Sequence, residues 1–176
     1  VTRPKGLERA IFAGLVVLAV VPLFAGHYLP FFDYAAHLSV PAALRHRADP
    51  ATHVSILWDL KLGLLPNSLH YGFCYVASFL LPLETASRLF VAIAVAALPL
   101  ATAFLLRSFG RDWRLAVLAI PLAWNRCLWY GFVGFSAALP LALLVLALLE
   151  RDLERASLRR ELGLAALAAL LPFAHF

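Results

Sequence analysis

The chain has 176 residues, of which 63% are hydrophobic and 14% charged; its formal net charge is +5 and its mean hydropathy +0.85. A soluble domain carries about 25% charged residues, so this composition excludes an ordinary soluble fold and points to a membrane protein. The positive balance suits anionic lipid rather than nucleic acid, and nothing resembles an RNA- or DNA-binding module. The chain opens on Val1, contains no Met, and closes on the apolar run Gly163 to Phe176. The expectation is therefore that 1–176 is the N-terminal part of a single transmembrane domain. Cys74 and Cys127 fit neither a metal motif nor a disulfide framework and read as packing residues.

Arg3, Lys5 and Arg9 precede the apolar run Ala10 to Leu29. At about 20 residues that run exceeds the core of a signal peptide and suits a retained spanning helix. Further apolar runs cover Ala86 to Leu106, Leu115 to Trp124, Phe132 to Leu149 and Leu162 to Phe176. Asn67 to Leu81 is shorter, is interrupted by His70 and Tyr71, and reads as a helix lying in the interface. The fold class is thus an all-α polytopic membrane protein, with about five transmembrane helices plus juxtamembrane external helices, a fragment of a larger bundle.

Basic residues orient the runs. Ten of the fifteen Lys and Arg lie in 1–9, 107–114 and 150–161, and the positive-inside rule puts all three segments in the cytoplasm. The N-terminus is then cytoplasmic, and 30–85 is an external loop carrying two juxtamembrane helices. Five of the six His fall in or beside this loop, and His175 would reach the same face. The turn Trp124 to Tyr130 also opens outward, so polar groups gather on one side of the membrane.

Asp33 stands where the first apolar run ends, in Pro30-Phe31-Phe32-Asp33-Tyr34-Ala35-Ala36-His37-Leu38. An ionisable group at a membrane boundary is a functional hypothesis by default. The stretch Tyr34 to Arg47 reads as a helix interrupted by Pro41, and the i, i+4 spacing puts Asp33 and His37 on one face. Asp33 has three readings: an N-cap accepting from the backbone N–H of Ala35 or Ala36, a general base, or, with His37, part of a divalent-metal site. His46 and His53 read as surface residues, and His70 as a member of an aromatic belt.

The order of these parts resembles the GT-C superfamily of polyprenyl-phosphate-sugar-dependent glycosyltransferases. The resemblance is carried by the acidic loop start at Asp33, the Leu65-Pro66-Asn67 helix start and Glu84-Thr85-Ala86-Ser87-Arg88-Leu89-Phe90. The basic turn Arg107 to Asp112 and the outer turn Pro121 to Asn125 with Gly131-Phe132 extend it over most of 8–176. It implies a bacterial inner-membrane enzyme, multi-pass, that uses a polyprenyl-phosphate sugar donor and contacts membrane lipid. Asp33 would be its catalytic base. Tyr34, His37, Asn67, Arg88, Asn125, Arg126 and His175 would bind substrate, with Arg126 nearest the departing phosphate and Arg88 also readable as an interfacial anchor. Where relatives carry a second acidic residue this sequence has Leu64-Leu65, with Asp59 upstream. A non-catalytic membrane protein of the same fold and a transporter are the competing readings, the latter expected to show broken helices and midplane charges.

Overall fold

A computed structural model describes residues 5–26, 28–57, 59, 67–154 and 156–175. The elements in chain order are α1 (Lys5–Val20), α2 (Pro22–Ala25), α3 (Tyr34–His46), a 3₁₀ turn (Pro50–Thr52), α4 (Val54–Leu57), α5 (Ser68–Ala77) and α6 (Leu83–Ser108). A second 3₁₀ segment (Trp113–Leu118) leads into α7 (Ala119–Leu122), followed by α8 (Arg126–Trp129), α9 (Val133–Glu154) and α10 (Leu158–Ala174). Among the described residues there is no strand.

The axis of the bundle is the pair α6 and α9, with α10 folded back onto α9 and α1 against α6. Between Leu89 and Leu106 the only polar residue of α6 is Thr102, a pattern that suits a helix with apolar surroundings on every side. Its 26 residues reach about 39 Å at 1.5 Å per residue. Glu84 in its first turn and Arg107 in its last complement the helix dipole. Gly110, at φ +63°, ends it, and the Arg111 N–H donates back to the Leu106 carbonyl at 2.7 Å. The buried faces of α6 and α9 are rich in small residues (Ala94, Ala101, Ser136, Ala137), which let helix backbones approach closely.

Among the described residues, three helical stretches are long and apolar enough to cross a membrane: Gly6–Ala25, Leu83–Ser108 and Val133–Leu153. That is fewer than the five expected from hydropathy. The run Leu115 to Trp124 folds as a 3₁₀ segment followed by the four-residue α7, and α10 has 17 residues. Hydropathy registered both as apolar but carried no information on helical type or unbroken length. The stretch 67–81, expected to be a short helix, contains the ten-residue α5. The Leu65-Pro66 start of that motif lies outside the described residues, as do His27 and Arg155.

The two ends of the bundle differ in chemistry. At one end Arg114 pairs with Glu8 at 3.2 Å, and Arg9 and Arg107 line a common cleft with Phe12 and Trp113. Arg107 also lies over the Trp113 ring, and Arg151 lies over Phe104. The basic segments grouped by sequence therefore converge in space. The opposite end holds the Asp33 loop, the start of α5 and the 125–132 turn.

Candidate functional site

The site is built where the Asp33 loop docks onto the turn between α8 and α9. The Phe32 N–H donates to the Trp129 carbonyl and the Asp33 N–H to the Tyr130 carbonyl, both at 3.1 Å. Gly131 makes this possible. Its φ of +91° suits glycine, and a Cβ there would stand 2.8 Å from the Asp33 backbone nitrogen. Phe31 anchors the loop from below, buried with its ring edge-on to Tyr34, Trp124 and Trp129. Trp124 in turn donates its indole N–H to the Ala19 carbonyl at 2.9 Å, tying the turn to α1.

Asp33 occupies the N-cap position of α3, but its carboxylate makes no capping bond. The capping expectation fails for a geometric reason. An N-cap residue takes extended dihedrals that aim its side chain over the first turn, whereas Asp33 sits at φ −91°, ψ 8°, set by its main-chain bond to Tyr130. Its carbonyl accepts from the His37 N–H at 3.1 Å, so the turn is closed by backbone and the half-buried carboxylate is left for other work. Pro41 does not interrupt α3, which runs through it to His46. Because proline has no N–H, the His37 carbonyl receives no bond from residue 41.

His37 lies one turn beyond Asp33, and its Nδ1 is hydrogen-bonded to the Tyr71 hydroxyl at 2.9 Å. Burial pushes the His37 imidazole below its ordinary pKa, and the nearby Asp33 charge opposes that shift without cancelling it. The Tyr71 hydroxyl is also within reach of the Asn67 side chain. Asn67, at φ +65°, opens α5 and lies against Gly134, where any Cβ would strike both Asn67 and the Ala174 carbonyl. His175 caps the end of α10 there, with its ring edge-on to Phe135. Asp33, Tyr34, His37, Asn67 and His175 are thus gathered at one end of the bundle.

Behind them sits a polar cluster that sequence reasoning missed. His70 is 1% exposed, not a belt residue, and its Nε2 is hydrogen-bonded to the Oγ of Ser87, itself 0% exposed, at 3.0 Å. Burial, reinforced by the charge of His37, holds His70 down at about 4. The Tyr34 hydroxyl reaches toward the same Ser87 and is affected by it, but falls short of a full hydrogen bond. Cys74 is buried beside this group, and burial pushes its thiol up to about 11, which suits packing and not nucleophilic chemistry. His70 and Ser87 are 17 residues apart on different helices, so neither had a local signal. His46 and His53 are exposed, as expected.

The remaining candidates divide. The Asn125 side chain is occupied in structure: its Oδ1 accepts from the Leu128 N–H at 3.1 Å as the N-cap of α8, and its Nδ2 donates to the Leu122 carbonyl. The cap follows from its extended dihedrals, which aim the side chain at the first turn. Arg126 is exposed; it donates to the Tyr130 hydroxyl at 2.9 Å and lies over the Tyr130 ring. Arg88 is half-buried near Tyr34. Among the described residues no three His, Cys, Asp or Glu side chains gather as a metal-binding group. Asp33 and His37 alone do not make up a donor set for a divalent ion. No protein-family model, curated protein or solved structure matches this chain, and the site stands on its own geometry.

Proposed function

We propose that the protein is a membrane glycosyltransferase in which Asp33 is the general base, acting at the end of the bundle opposite the cluster of Arg9, Arg107, Arg114 and Arg151. The observation that carries this reading is the Asp33 loop. Its backbone is fixed by two main-chain bonds and a glycine contact, while its carboxylate is left out of the helix cap. A base must be held in place and yet be open to a proton, and both conditions are met here. In the transfer, an acceptor hydroxyl oxygen bonds to the anomeric carbon of a lipid-phosphate-linked sugar. Its proton passes to Asp33, the anomeric carbon–oxygen bond breaks, and the electron pair leaves on the phosphate. Arg126 supplies positive charge near that end. His37, held by Tyr71, orients the acceptor beside Asp33.

In this reading the chain belongs to a bacterial inner membrane with its N-terminus in the cytoplasm. It crosses five times, with 113–122 and α10 as the two crossings that are not long uninterrupted helices. Asp33→Asn in the full-length protein, with glycan and glycolipid products followed by mass spectrometry, tests the reaction. Loss of a product at unchanged expression is expected. Normal product would remove Asp33 from catalysis and favour a non-catalytic role.

A further inference from the structure

An apolar concavity lies away from Asp33, between α6, the 113–122 segment and α9. It is a groove of about 590 Å³, within the ~300–1,000 Å³ of sites that take small ligands. Leu98, Leu118, Leu122 and Leu139 supply its walls. Thr102 also lines it, but its hydroxyl donates to the Leu98 carbonyl at 2.8 Å and offers nothing polar to an occupant. The rim is different: Asn125 and Arg126 lie there. Asn125 is committed to capping α8, which leaves the Arg126 guanidinium as the chemical feature of the mouth. Among the described residues no carboxylate pairs with it; its partner is the neutral Tyr130 hydroxyl.

A groove that is apolar inside and cationic at one edge, walled by two membrane-crossing candidates, matches an amphiphile with a hydrocarbon chain and an anionic head. A guanidinium suits phosphate in particular, because its planar fork meets two oxygens at once. We infer that this groove holds one chain of an anionic phospholipid from the surrounding bilayer, its phosphate on Arg126. A zwitterionic lipid would satisfy the walls, but its own ammonium competes with the guanidinium for the phosphate. A free phosphate would satisfy Arg126 and leave the walls empty. The inference shares Arg126 with the sugar-transfer reading but not Asp33, and its test has no activity readout, so failure of one is distinguishable from failure of the other.

Native mass spectrometry of the purified full-length protein tests it. The probes are phosphatidylglycerol, phosphatidylcholine with the same chains, and glycerol phosphate. Phosphatidylglycerol should be retained above phosphatidylcholine, and glycerol phosphate should not be retained. Arg126→Gln, at an exposed position, should lower phosphatidylglycerol retention about tenfold, to the level of phosphatidylcholine, with unchanged thermal stability. Arg126→Lys should keep part of the preference. Leu122→Trp, which fills the mouth from an exposed position, should lower retention of both lipids alike. Equal retention of the two lipids, or wild-type retention by Arg126→Gln or Leu122→Trp, overturns the assignment.

Discussion

Replacing Gly131 by alanine should unseat the Asp33 loop. The backbone there has φ +91°, which costs an L-residue about 1–2 kcal/mol. The new methyl group would stand 2.8 Å from the Asp33 nitrogen and 3.1 Å from its Cα. Those are main-chain atoms and cannot rotate away. Relief requires lifting the loop, which breaks the Phe32–Trp129 and Asp33–Tyr130 main-chain bonds at about 1 kcal/mol each. The combined loss is about 3–4 kcal/mol, or roughly 10 °C in melting temperature for a chain of this size. Gly72 is the control: it lies in α5 with nothing near its missing Cβ. Gly72→Ala should therefore stabilise by about 0.5–1 kcal/mol. The assay is the fraction of detergent-solubilised protein that stays monodisperse after heating. If Gly131→Ala melts with the wild type, the docking argument is wrong.

Three further outcomes are expected. His70 is held at about 4 in the fold against 6.5 when unfolded, so the unfolded chain binds the extra proton between those values and stability falls as pH drops through that window. The full loss is about 3 kcal/mol; His70→Gln should flatten the decline in melting temperature between neutral pH and about pH 5, and an unchanged slope would point to another group. Asn125→Ala removes the cap of α8 and should cost about 1 kcal/mol, visible as a few degrees of melting temperature; no change would mean that α8 needs no cap. For sidedness, Asp49→Cys should be labelled by an impermeant thiol reagent from outside intact cells and Leu158→Cys should not, in a Cys127→Ser background that leaves Cys74 buried. Labelling at residue 158 would invert the proposed orientation.

Much of the frame was legible in the sequence because it rests on long patterns. The runs that became α6 and α9 are apolar over five or more turns, and the basic clusters mark the end where Arg9, Arg107, Arg114 and Arg151 meet. The Asp33–His37 face was legible for the same reason, since i, i+4 spacing is a property of the helix itself. What escaped was set by contacts between distant segments. The dihedrals of Asp33 follow from the Tyr130 carbonyl almost a hundred residues along, and no local rule includes it. His70 turned inward because Ser87 offered its nucleus of polarity on another helix. The 3₁₀ form of 113–118 is equally invisible to hydropathy, which weighs residues without measuring how far each one carries the chain.

That last distance has a consequence for the bilayer itself. Trp113–Leu122, as six residues of 3₁₀ and four of α-helix, advances only about 18 Å, against a hydrocarbon thickness of about 30 Å. With 113–122 as a crossing, as proposed above, the membrane on this side must dip to match it, whereas the 26-residue α6, packed against that segment, asks for full thickness. The resulting step would place a thinned patch of lipid on the side of the bundle that carries Arg126. Hydrophobic mismatch of this kind is a means of sorting: the protein should favour thin bilayers, and amphiphiles should reach its rim sideways along the leaflet instead of descending from water.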